Sequence, residues 1–186
     1  MKIYMVQCQL NSDLKKYHTE ISERVNKEFP DAYIIPSTHV TLEYPFITED
    51  YSKMRNILVS VTRTLPKSPV HVRSVGGFPF EIVYLGAQLD AALHTFRRQL
   101  SLQEGNLIER KSTFGGNNYT PHVTVARVGS PQRYDQVREY VKRDLESRYP
   151  NGFRCLADNI TIISHEEGDI TGPWCVEEQV TLKEKA

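Results

Sequence analysis

Apolar side chains recur along this chain with two alternating periods. From Ile3 to Leu10, β-branched and aromatic residues cluster as they do in a strand. Leu14, Tyr17, Ile21, Val25 and Phe29 then fall at helical spacing. Asn11, Ser12 and Asp13 supply cap chemistry before them, and Pro30 stops the run. A short strand is predicted from Thr38 to Tyr44. Met54, Ile57, Leu58, Val61 and Leu65 mark a second helix, ended by Pro66. Val70 to Val75 and Glu81 to Leu85 read as strands on either side of a Gly76-Gly77-Phe78-Pro79 break. A third helix carries Leu89, Leu93, Phe96 and Leu100. Gly105 to Asn118 is polar and reads as a loop, and Thr120 to Val128 reads as a strand. Ser130-Pro131 opens a fourth helix with the apolar stripe Val137, Tyr140, Val141 and Leu145. Strands near Ile160 to Ser164 and Val176 to Leu182 close the chain. No Ser/Gly linker interrupts the alternation, which implies one α+β unit over residues 1–186 with helices layered on sheet.

Composition narrows the class. The 186 residues suit one domain, and no stretch approaches the roughly 18 apolar residues of a membrane span. The N-terminal run turns polar too early for a signal peptide. Cys8, Cys155 and Cys175 show no metal spacing, so a reducing, cytoplasmic compartment with inert thiols is expected. Lys+Arg 23 balances Asp+Glu 23. A protein that grips a long duplex by its phosphates is usually basic, so a small or terminal nucleic-acid ligand fits better.

One pattern occurs twice. Thr38-His39-Val40-Thr41-Leu42 and Pro121-His122-Val123-Thr124-Val125 both have the form His-apolar-Thr-apolar, both in predicted strands, one in each half of the chain. Strand side chains alternate faces, so His39 shares a face with Thr41, and His122 with Thr124. If the two strands adjoin a cleft, two imidazoles and two hydroxyls converge there. Imidazole titrates near pH ~6.5, so one ring can accept a proton from water while the other gives one to a leaving alkoxide. The two hydroxyls can hold phosphoryl oxygens in line. A 2′,3′-cyclic phosphate, strained and with a ribose hydroxyl as leaving group, suits this set without a metal.

The doubled motif resembles that of the 2H phosphoesterase superfamily, which includes the LigT-like RNA 2′,3′-cyclic phosphodiesterases, also called 2′-5′ RNA ligases. Tyr119-Thr120-Pro121 before the second copy and Ala126-Arg127 after it fit the resemblance. It implies a bilobal fold of two pseudo-symmetric antiparallel sheets flanked by helices around a central cleft. It implies metal-independent phosphoester chemistry by His39 and His122, with Thr41 and Thr124 on the phosphoryl oxygens and no cofactor. The expected ligands are RNA 2′,3′-cyclic phosphate ends or small cyclic nucleotides, with weak 2′-5′ ligation as the reverse reaction. A 2′-5′-linked or cyclic oligonucleotide is the alternative substrate, and a non-catalytic RNA-end binder the alternative of another class. A monomer is expected.

Further residues are weighed by position. Tyr119, beside the second motif, is the first choice for stacking on a base, ahead of Tyr44, Phe46, Phe80 and Phe114. Arg127 reaches the cleft only if its strand bends, since its parity is opposite to that of His122. Arg110 and Lys111 read as solvated loop residues that can alternatively meet phosphates. Glu43 shares strand parity with His39 and is expected either to orient an imidazole or to face solvent. His18 reads as a surface residue, His71 and His94 lack a partner motif, and His165 sits in an acidic turn. The Gly76-Gly77 and Gly115-Gly116 pairs read as turns.

Overall fold

The computed structural model describes residues 1–10, 13–35, 37–78, 81–111, 119–167 and 174–184. Ten strands and four helices are formed by these residues. In chain order they are β1 (Lys2–Gln9), α1 (Asp13–Glu28), β2 (Tyr33–Ile34), β3 (His39–Ile47), α2 (Tyr51–Thr62), β4 (Ser68–Phe78) and β5 (Ile82–Leu89). There follow α3 (Ala91–Glu104), β6 (Glu109–Arg110), β7 (His122–Arg127), α4 (Pro131–Arg148), β8 (Phe153–Ala157), β9 (Asn159–Glu166) and β10 (Cys175–Thr181). Two five-stranded antiparallel sheets result, ordered β10-β9-β1-β3-β6 and β2-β7-β5-β4-β8. Each carries one His-x-Thr-x motif, on β3 and β7 respectively, and these two strands meet where the sheets adjoin. Both sheets draw strands from both ends of the chain, so the lobes are interleaved rather than successive halves.

The helices follow from the patterns read above. Asp50 and Asp90 accept from the backbone N–H of Lys53 and Leu93, and Ser130 accepts from Arg133, each closing a first turn. Pro131 occupies the first turn of α4, where its missing N–H costs nothing. Leu14, Tyr17, Ile21 and Val25 of α1 and Val137, Val141 and Leu145 of α4 are buried, and the two helices pack on the second sheet. Met54 and Leu58 of α2 face Leu93, Phe96 and Leu100 of α3 over the first sheet. None of the described helices is long and apolar enough to cross a membrane.

Several segments differ from the sequence reading: Gly76, Gly77 and Phe78, expected as a break, continue β4 opposite Tyr84, Val83 and Ile82, and Tyr33–Ile34 forms the short β2. The strand expected at 38–44 runs to Ile47, through Pro45. Phe153–Ala157 forms a strand, with Phe153, Cys155 and Ala157 buried and Arg154 and Leu156 exposed. That alternation is brief and follows a long helix directly, so the residue pattern alone does not mark it as a strand. Within the expected 105–118 loop, Glu109 and Arg110 pair with the end of β3. Of the thiols, Cys8 and Cys155 are buried but Cys175 is exposed, on the edge strand. The caps expected at Asn11 and Ser12 and the Gly115-Gly116 turn lie outside the described residues, as does Pro79.

Gly152 admits β8 to the sheet. Its φ is +65°, and a Cβ there would lie 2.2 Å from the carbonyl oxygen of Val72 and 2.6 Å from the Cα of Arg73. Gly152→Ala is therefore expected to cost at least about 1–3 kcal/mol, read as a lowered urea midpoint with unchanged slope.

Candidate active site

Each motif strand carries one extra residue just after its threonine. On β3, Thr41 pairs with Gln7 and Glu43 with Val6, leaving Leu42 between them. On β7, Thr124 pairs with Tyr84 and Ala126 with Val83, leaving Val125. Such bulges sharpen the local bend and reverse the side-chain parity beyond them. Up to the bulge, the alternation holds: His39 opposes Gln9 and Thr41 opposes Gln7, while His122 opposes Gly86 and Thr124 opposes Tyr84.

The two histidines are held alike. Nδ1–H of His39 donates to the carbonyl of Ser37 at 3.1 Å, and Nδ1–H of His122 donates to the carbonyl of Thr120 at 2.7 Å. In each case the acceptor lies two residues upstream. A carbonyl can only accept, so Nδ1 carries the proton in the neutral ring and Nε2 is the nitrogen left for proton exchange. Burial pushes the pKa of His39 down to about 4, against the raising effect of the Ser37 carbonyl, and the charges His122 and His18 can acquire push it the same way. Burial also lowers His122, opposed by Thr120. Both rings are thus neutral at pH 7 in the free protein. Thr41 donates to the thioether of Met5 at 3.5 Å, a weak partner that a phosphoryl oxygen can displace.

His18 is a correction. Expected on the surface, it is fully buried. Its Nε2–H donates to the carbonyl of Thr124 at 2.8 Å, and its Nδ1 accepts from the hydroxyl of Thr38 at 3.1 Å. It thereby ties the residue before one motif histidine to the threonine of the other motif. Tyr119 makes the reciprocal tie. Leading into the second motif, it donates its hydroxyl to the carbonyl of Thr41 at 2.8 Å. One face of its ring lies 3.2 Å under the Arg97 guanidinium carbon, and Arg97 donates to the carbonyl of Leu42. The helical pattern of α1 places His18 one position beyond the apolar Tyr17, which is the signal the sequence offered.

Other expectations resolve from the same geometry. Glu43 is buried, and the bulge at Leu42 turns it away from His39 and onto Arg110 at 2.9 Å. Arg110 also pairs with the buried Glu104, whose pKa burial raises to about 8, so it is neither a solvated loop residue nor open to a phosphate. Lys111 pairs with Glu109 and Glu167. Arg127 opposes Ile82, two residues before Tyr84, so the bulge at Val125 returns it to the face of His122, where it is exposed. Tyr44 is buried edge-on to Tyr119, and Phe46 is core stacked on Tyr4. Phe80 and Phe114 lie outside the described residues. His165 belongs to β9 and contacts the Trp174 ring. The rings flanking His122 are Phe78, edge-on at 5.2 Å, and Tyr84 at 4.8 Å. Gly76 makes room for Tyr84, since a Cβ there would lie 2.6 Å from its ring. The sequence placed both aromatics on or beside strands but held no register to bring them to His122. Among the described residues no cluster of three or more His, Cys, Asp or Glu could hold a metal ion.

The two ties carry measurable stability. Tyr119→Phe leaves the Thr41 carbonyl without its donor and is expected to cost about 1–3 kcal/mol. His18→Ala strips two buried partners and opens a void, for about 2–5 kcal/mol. Urea denaturation of both variants checks the order.

The sequence pattern of the family described as the 2′-5′ RNA ligase superfamily matches residues 12–169. TT0787 of Thermus thermophilus shares the fold with a TM-score of 0.71 at 15% identity, over 100% of both chains. E. coli LigT in its apo form gives 0.65 at 14% identity over 98% of each chain. Usb1 of Kluyveromyces marxianus gives 0.55 at 12% identity over 94% of this chain and 96% of its own. None of the curated proteins matches. The structural likeness carries the two-sheet architecture, and the family pattern spans both motifs and most of the chain between and around them: this chain belongs to the 2′-5′ RNA ligase superfamily of 2H phosphoesterases.

Proposed function

We propose that the protein is a phosphodiesterase that opens 2′,3′-cyclic phosphates on RNA ends or small nucleotides, as a cytoplasmic monomer needing no cofactor. The observation that carries this reading is the matched setting of His39 and His122, each with Nδ1–H on an upstream carbonyl and Nε2 left to exchange a proton. The E. coli LigT structures that share this fold hold 3′-AMP and phosphate, ligands of the same chemical kind as the proposed product.

Both rings are neutral before substrate arrives. The phosphodiester anion entering between them favours an imidazolium, so one ring takes up a proton on binding. The other removes a proton from water as the water oxygen bonds to phosphorus. The bond from phosphorus to one ribose oxygen breaks, and the imidazolium gives that oxygen its proton. One proton is taken and one is given, so the pair returns with the roles exchanged. Thr41 and Thr124 donate to the non-bridging oxygens, and Arg127, on the same face, adds charge where it builds up. A ribose 5′-hydroxyl in place of water would run the chemistry towards a 2′-5′ bond.

His39→Ala and His122→Ala are each expected to lower kcat by about 10²–10⁴-fold on a 2′,3′-cyclic nucleotide in EDTA, followed by phosphorus NMR. If wild type turns over neither this nor a cyclic-ended RNA, a panel of 2′-5′-linked and cyclic oligonucleotides decides between the alternative substrate and a binder. The pH profile has a defined sign. kcat/KM reports the free enzyme, and its active form holds one proton on the pair. With His39 at about 4 and His122 below its usual value, loss of that form begins below pH ~6.5 and continues through neutrality. An acidic optimum with a falling limb through neutrality is expected; an optimum above pH ~7.5 contradicts the neutral pair.

A further inference from the structure

Charge is segregated between the two sheets. The strands of the first carry Glu43, Glu109, Glu166, Glu177 and Glu178 against Lys2 and Arg110, a net acidic set. The strands of the second, β2, β4, β5, β7 and β8, carry no Asp or Glu but hold Arg73, Arg127 and Arg154. α1 and α4 cover one face of this second sheet, over the buried Val70, Val72, Val83, Leu85, Phe153 and Cys155. The other face holds His122. Cross-strand register aligns exposed residues there: His71 opposes Gln88 on one side and Arg154 on the other. A groove of about 360 Å³ runs along this face beside the entry to β7, lined by His71, Arg73, Ser74, Tyr84, Gln88 and Thr120. Thr120 supplies the carbonyl that holds His122, and Tyr84 supplies the ring against it, so the groove begins at the candidate active site. Gly86, opposite His122, leaves the floor free of any side chain there except Ser74, whose hydroxyl lies 2.3 Å from where a Cβ would stand.

Arg24, Arg55, Arg110, Arg133 and Arg148 are all ion-paired, and Arg97 lies on Tyr119. Among the described residues Arg73 and Arg154 pair with no carboxylate, as is also true of Arg63, Arg98, Arg127, Arg138 and Arg143; what sets Arg73 and Arg154 apart is their place on the face of His122, beside His71. A guanidinium with no carboxylate partner, on strands that carry no carboxylate, is free to pair with a phosphate. From β7 to β8 is three strand spacings, about 14 Å. Stacked nucleic acid carries one phosphate per ~3.4 Å of strand, so the face spans several nucleotides.

We propose that this groove binds the single-stranded RNA that carries the reacting end, with Arg73 and Arg154 on internucleotide phosphates and Tyr84 stacked against the nucleotide nearest His122. This rests on the phosphodiesterase reading and deepens it: the substrate class is a polynucleotide end, not a free cyclic mononucleotide. His71 serves as a further donor on the path.

The test compares kcat/KM for an RNA hexamer ending in a 2′,3′-cyclic phosphate with that for the cyclic mononucleotide of the same base. Wild type is expected to favour the hexamer by at least about tenfold. Arg73→Gln with Arg154→Gln is expected to cut that ratio at least fivefold and to flatten its salt dependence by a log–log slope of about 1.4, two phosphate contacts at ~0.7 each. Arg→Lys at both positions restores part of the ratio. Circular dichroism confirms that these surface variants fold. A wild-type ratio near one, or a ratio unmoved by the double substitution, overturns the proposal. Should neither substrate turn over, the phosphodiesterase reading fails by itself. The groove is then judged by fluorescence anisotropy of a labelled hexamer with a 3′-phosphate: salt-sensitive binding lost in the double variant supports it, and no binding, or binding equal in the variant, overturns it.

Discussion

A carbonyl group exposed beside an extra residue must find a donor, and at the cleft of this protein that need joins the two lobes. Leu42 and Val125 are the extra residues, one past each motif threonine. The carbonyl of Thr41 accepts from Tyr119 and that of Leu42 from Arg97. The carbonyl of Thr124 accepts from His18 and that of Val125 from the N–H of Ile35. Tyr119 leads into the second motif, and His18 is bonded to the residue that leads into the first. Each motif is therefore braced by the chain that presents the other. An unmet buried carbonyl costs about 1–3 kcal/mol, so the lobes are held at the spacing that satisfies both bulges together. The distance between the two imidazoles is set by these main-chain bonds, not by contacts of the imidazoles themselves.

The same economy governs protonation. A carbonyl on Nδ1 fixes the tautomer and would also stabilise an imidazolium, whereas burial and the second imidazole work against charge. Burial wins in the free protein, leaving His39 far below its ordinary value. In the proposed reaction the carbonyl would already be in place when the anion arrives, so the ring could become an acid without the protein moving: the protein would hold the dipole ready and the substrate would supply the charge that uses it.

The motif residues were legible because strand parity and residue type coincide: His39, Thr41, His122 and Thr124 need only period-two alternation to share faces. The braces were not. The apolar stripe of α1 hints that His18 is buried, but nothing local names the distant carbonyl and hydroxyl to which it is bonded. Glu43 was misplaced because parity was extended through Leu42, and the bend on which Arg127 depended could not be read at Val125, since a bulge leaves no mark in residues of ordinary β-propensity. The aromatic neighbours of His122 required a register between β4, β5 and β7 that only the folded sheet supplies. The helices, fixed by apolar period and by Asp50, Asp90 and Ser130 at their starts, asked for no such long-range knowledge.

Zero net charge conceals the opposite of neutrality. Each sheet has one face under helices, and the carboxylates of the chain fall on those helices, on the turns and on the strands of the first sheet. There they engage Arg24, Arg110, Arg133 and Arg148, which are spent on holding elements together. Arg73 and Arg154, which pair with no carboxylate among the described residues, lie with His122 on the open face of the second sheet. At physiological salt, charges more than about 8 Å apart are largely screened in solvent. A phosphate on that face therefore feels Arg73 and Arg154 and little of the acidic sheet beyond the cleft. In the proposed reading, global balance would disfavour an indiscriminate grip on nucleic acid, and Arg73 and Arg154 would favour a strand on the face that leads to His122.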